Sequence, residues 1–175
     1  MVRSQPSKDQ RMARPLKYQC ACQCGRSKFT VSGTPLARLY CHCQICQALY
    51  KQPRADVTMW WGQNVELPDN HRIQFKRYRL PPAINRGTCP SCGLPVVGFL
   101  RLAPFVQLAF VPAMNFPHGA GLPRPSAHIF YHRRVKDVRD RLPKISGYWP
   151  SELYATKLVV AGMLGAESAL TQPHR

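Results

Sequence analysis

A mainly β domain is what this sequence predicts, and three observations carry the reading. Short apolar or alternating runs recur along the chain, 17 prolines and 11 glycines punctuate them, and one segment alone has the makings of a long helix. Frequent Pro and Gly favour turns between short strands over a helical bundle. A length of 175 residues with 45 % hydrophobic content suits a single domain with a real core and is too short for two.

Residues 1–16 are polar and basic without apolar periodicity, which predicts a disordered tail ahead of a domain over 17–149. From Tyr18 onward the pattern turns β-like. The runs "SKFTVSG", "VTMWWG", "RIQFKRYRL", "LPVVGFLRL", "FVQLAFVPA" and "SAHIFYH" read as antiparallel strands separated by turns. The segment 150–175 is read as a C-terminal helix and tail. Its stretch "PSELYATKLVVAGMLGAESAL" offers Ser151 as a cap and Glu152 in the first turn, while Gly162 and Gly165 weaken the helix. "MWWG" is most simply core packing.

Charge narrows the partners. Lys and Arg number 25 against 8 acidic residues, a net +17, and no Asp or Glu lies between Asp9 and Asp56. Such a balance suits a nucleic acid, a membrane surface or an anionic small molecule. The basic N-terminus lacks the apolar centre of a secretory signal, and "LVVAGMLGA" is roughly half the length needed to span a bilayer. The expectation is a cytoplasmic protein that stays out of the membrane. In a reducing compartment its eight cysteines serve as metal ligands or reactive thiols, not as disulfides.

Those cysteines form three groups: "CACQCG" (Cys20, Cys22, Cys24), "CHCQIC" (Cys41, Cys43, Cys46) and "CPSCG" (Cys89, Cys92). In a strand, residues two apart share a face, so Cys22 and Cys24 can reach one ion. "CPSCG" has the form of a zinc knuckle, with Gly93 easing the turn. One C-x-C plus one C-x-x-C makes a closed four-thiolate site. The triplet leaves alternatives: buried apolar cysteines, a site closed by Cys20 or a histidine, or a three-ligand ion with an exchangeable fourth position. Thiolates suit zinc, allow iron, and disfavour magnesium and calcium. His42, between two candidate ligands in an extended segment, should point away from the ion and either support the ligands from behind or lie exposed, without ligating. His128 and His132, four apart in a strand-like run, do not form a metal pair.

"CQCG", "CHCQIC" and "RGTCPSCG", in this order, resemble the glutathione-dependent formaldehyde-activating enzyme family, which also includes centromere protein V. Softer matches are Tyr78 and the closing "AHIFYHRRVKDVRDRLPKI", so the resemblance covers roughly residues 18–148. It implies a zinc-stapled β-tent of small antiparallel sheets. Cys22, Cys24, Cys89 and Cys92 would hold a structural zinc, and Cys41, Cys43 and Cys46 a catalytic one. The implied activity is that of a carbon–sulfur lyase, joining or cleaving the bond between glutathione, as co-substrate, and formaldehyde or a related small adduct. The chain departs from the family pattern at Gln47 and Tyr50 after the triplet, at Thr88 before Cys89, and at Cys20, where glycine is usual.

Three thiolates around a divalent ion leave one net negative charge and make it a weak Lewis acid. Holding an incoming thiol as thiolate then suits the site better than activating water. Arg86, three residues before a ligand and matching a family arginine, is the candidate cation to offset that charge and pair with a carboxylate. Two rivals stand beside this reading. One is a non-catalytic basic zinc module that binds nucleic acid or a protein; the other is a glutathione-binding or redox-responsive protein without turnover.

Overall fold

The computed structural model describes residues 16–80 and 83–165. The expected tail, apart from Leu16, and the chain after Gly165 lie outside these residues. The fold is mainly β. A three-stranded sheet has the order β1 (Lys17–Ala21), β2 (Lys28–Ser32), β5 (Val65–Glu66), all antiparallel. A second sheet of seven strands contains β3 (Ala37–Cys41), β4 (Ala55–Trp61), β6 (Gln74–Lys76), β7 (Asn85–Thr88), β8 (Pro95–Ala103), β9 (Val106–Pro112) and β10 (His128–Ile129). Their spatial order is β10-β3-β4-β9-β8-β7-β6, antiparallel except that β10 runs parallel to β3. Two helices complete it, α1 (Gln44–Tyr50) and α2 (Tyr148–Met163).

Two apolar clusters are organised by alternation along β4. Trp60 faces one, stacking on Phe116 at 5.6 Å with Tyr18 edge-on to both rings. Val57 and Met59 face the other, with Leu39, Cys41, Cys46 and Tyr50. The indole N–H of Trp60 is satisfied by Thr58 Oγ1 at 2.7 Å, so a fully buried tryptophan strands no donor. "MWWG" is packing, as expected.

The α2 helix closes the second cluster with Leu158 and Val159. A Cβ at Gly162 would lie 2.0 Å from the Leu36 carbonyl oxygen, so only glycine lets the helix approach β3 this closely. The helix begins three residues before the expected cap. Gly147 is the N-cap, and Pro150 is tolerated in the first turn, where N–H groups have no helical partner. Ser151 is buried, accepting from Phe130 N at 2.8 Å and donating to the Gly147 carbonyl at 2.6 Å. It ties the helix to the segment after β10. The first turn holds no acidic residue, so Glu152 falls one turn too late to serve there.

Other runs shorten. "RIQFKRYRL" contributes only Gln74–Lys76, an edge strand, and "SAHIFYH" only His128–Ile129, because Phe130 turns into the left-handed region and a 3-10 turn follows at Tyr131–Arg133. No helix among the described residues is long and apolar enough to cross a membrane.

Candidate metal centre

Cys22, Cys24, Cys89 and Cys92 bring four sulfurs within 4.8 Å of one another. Cys22 and Cys24 do not share a strand face, because β1 ends at Ala21 and both lie in the turn leading to β2. Gly25 N donates to the Cys22 carbonyl at 2.8 Å and Cys22 N to the Ser27 carbonyl at 2.9 Å, folding the turn so that the sulfurs converge at 3.4 Å. The second pair is held the same way. Gly93 N donates to Cys89 O at 2.8 Å, with Gly93 at φ +71°, and Cys89 N donates to Leu94 O at 2.9 Å. Cys24 and Cys89 approach to 3.7 Å, and Arg26 Nη1 reaches Ser91 Oγ at 3.3 Å from one turn to the other. Two backbone knuckles thus face each other across one point, a closed tetrad in form.

The triplet is built differently. Cys41 ends β3, Cys43 is the N-cap of α1, and Cys46 stands in the first helical turn. Cys46 N donates to Cys43 Sγ at 3.4 Å, so the sulfur takes the place of a capping oxygen. All three sulfurs lie within 4.8 Å of one another, and among the described residues no fourth His, Cys, Asp or Glu joins them. Hydrogen bonds from Cys41 and Cys46 push the Cys43 thiol down to about 2, while its hydrogen bond with Cys43 holds Cys41 well above the ordinary thiol range. Three touching sulfurs cannot all ionise without a cation among them. Both clusters could therefore hold a metal ion, and an all-thiolate donor set fits zinc.

Arg86 lies on β7, half-buried, paired in register with Lys76 and Gly98. Its positive charge is a minor influence favouring the ionised forms of Cys43 and Cys46, although Cys46 is on balance pushed up to about 12, its hydrogen bond with Cys41 being outweighed by that with Cys43 and by burial. It has no ion-pair partner among the described residues. Of the departures from the family pattern, Tyr50 is buried in the cluster containing Cys41 and Cys46. It also lines a cavity of about 450 Å³ with Tyr40, His42 and Arg54. Gln47 donates to the carbonyls of His42 (2.6 Å) and Arg133 (2.7 Å). Thr88 donates to Gln74 O at 3.4 Å. Tyr78 is exposed, with Lys76 over its ring.

Cys20 belongs to neither cluster. Its side chain is 2 % exposed within the first core, and burial pushes its thiol up to about 12, so it stays protonated.

Sequence reasoning missed a chain of polar groups behind the triplet. His42 is not exposed; it is 2 % accessible, and its Nε2 lies 2.9 Å from Nδ1 of the fully buried His128. His128 Nε2 lies 2.8 Å from Asp140 Oδ2, and Lys144 Nζ donates to Asp140 Oδ1 at 2.9 Å. Lys144, then His128, hold the Asp140 carboxyl well below the usual range, while burial and the neighbouring His128 push His42 down to about 4. His132 is separate, accepting from Gly147 N at 2.8 Å. The sequence signal was the closing segment "AHIFYHRRVKDVRDRLPKI", which holds His128, Asp140 and Lys144 but does not show that His128 meets His42.

The fold and the two sulfur clusters define a cysteine-rich, mainly β protein with one closed and one three-thiol centre. The family model for the glutathione-dependent formaldehyde-activating enzyme matches residues 17–133, and the chain belongs to that family. No curated protein matches it. Membership implies glutathione and formaldehyde as the substrates.

Proposed function

We propose that the protein is a zinc-dependent carbon–sulfur lyase-type enzyme acting on glutathione and formaldehyde or a related small adduct. The observation that carries this is the convergence of three thiols with no fourth ligand among the described residues, in a chain of this family. Cys41, Cys43 and Cys46 would hold zinc there, and a bound zinc supplies the charge that keeps an incoming thiol ionised. Glutathione sulfur then bonds to the aldehyde carbon, and the thiol proton ends on the former carbonyl oxygen, giving a hydroxymethyl thioether; the reverse reaction breaks the same bond. Arg86 offsets the negative charge of the loaded triplet and draws a glutathione carboxylate. Tyr50 and the surrounding apolar cluster limit water on one side.

Cys22, Cys24, Cys89 and Cys92 are assigned to a second, structural zinc. The metal-binding unit spans 17–149, between a tail at 1–16 and a helical C-terminal segment at 150–175. Free thiols at these spacings support a cytoplasmic setting. Elemental analysis of chelator-free protein should approach two zinc ions per chain, and calorimetry should detect glutathione. No heat with glutathione, beside strongly salt-dependent binding to DNA, would replace this reading with the basic-module one.

A further inference from the structure

We propose that Asp140 and His128 are positioning residues for the cysteine triplet, acting through the ring of His42; the inference rests on the reading that the triplet holds a metal. Parallel pairing sets His128 beside Tyr40 and Ile129 beside Cys41, and His42 N continues the ladder to Ile129 O at 3.0 Å. Along β3, Leu39 and Cys41 face the apolar cluster, so the next residue, His42, points to the opposite side. Its ring therefore fixes the strand end from behind while the sulfurs on either side of it converge in front.

Hydrogen bonding sets the direction of the chain. The Asp140 carboxylate accepts, so His128 Nε2 carries a proton, and His128 Nδ1 shares the next hydrogen bond with Nε2 of His42. Tyr131 packs edge-on against both rings, at 5.2 Å and 5.8 Å. Gln47 adds a second strap by gripping the His42 carbonyl. Rotation of the His42 ring would break a buried hydrogen bond, and the backbone carrying Cys41 and Cys43 is held by the same contacts.

Full-length protein titrated with cobalt against a competing chelator reads each centre by its thiolate charge-transfer band, the triplet band being the one lost in Cys43→Ser. A third of the Asp140 side chain is exposed, so alanine is accommodated there. Asp140→Ala should weaken cobalt at the triplet about 10-fold and alter its band, leave the other centre unchanged, and be largely rescued by Asp140→Asn, which keeps an acceptor for His128. Triplet affinity within twofold of wild type, or equal weakening of both centres, overturns the positioning role even if the melting temperature falls. A wild-type chain that binds only one cobalt refutes the metal reading of the triplet as well.

Discussion

The two sulfur clusters use the same side chain and differ in how the backbone delivers it. In the tetrad, Cys24 and Cys89 meet across 65 residues, from turns that belong to different sheets. In the triplet all three sulfurs come from six consecutive residues, at the junction of a strand end and a helix cap. Closing the long loop restrains far more of the unfolded chain; the logarithmic loop law makes that difference on the order of 2 kcal/mol. Metal bound by the tetrad would therefore contribute largely folding free energy, whereas the triplet is local, and among the described residues no fourth His, Cys, Asp or Glu joins it.

The harshest way to break this comparison is Cys89→Ser. It should lower the melting temperature by roughly 10 °C or more, or prevent the protein from accumulating folded, as followed by circular dichroism. Next comes Cys43→Ser. Here bound zinc should fall from about two per chain to about one and glutathione-dependent turnover should vanish, with a clearly smaller thermal shift. Equal thermal losses in the two variants would make the triplet a second staple.

A smaller effect is expected from Arg86→Ala. Loss of a charge-assisted contact should raise the glutathione concentration for half-saturation about 10-fold, equivalent to about 1.4 kcal/mol, with both metals retained. An unchanged value at low salt would leave Arg86 a structural residue. Smallest of all is Cys20→Ser. The thiol lies in the core outside both clusters, so metal content and glutathione affinity should stay as in the wild type. Loss of one zinc would mean that Cys20 closes a centre.

The legible parts of the molecule were those whose signal is local. Spacing of two or three residues brings sulfurs together through one turn, so both candidate ligand sets could be grouped from the sequence. Alternating apolar runs disclosed most strands of the two sheets. The α1 helix escaped because it has only seven residues and is capped by a cysteine that spacing had already assigned to metal. The β7 strand, "NRGT", is short and scarcely apolar; its Gly87 sits where a Cβ would strike Ile73 at 2.5 Å. The start of α2 was misplaced because Ser151 resembles a cap, and only its buried bonds to Phe130 and Gly147 show that it ties two segments instead.

By itself, then, the sequence determined the β class, the grouping of the cysteines and the burial of Trp60, since turn chemistry, ligand spacing and hydrophobicity act over a few residues. Which turn faces which was decided by the tertiary structure. Only the order of the strands brings Cys24 to Cys89. The buried line from His42 through His128 to Asp140 depends on one parallel pairing between segments almost ninety residues apart, His42 and His128 being separated by 86. Contacts at that range are set by how apolar faces share a core, a property of the whole chain that no short motif encodes.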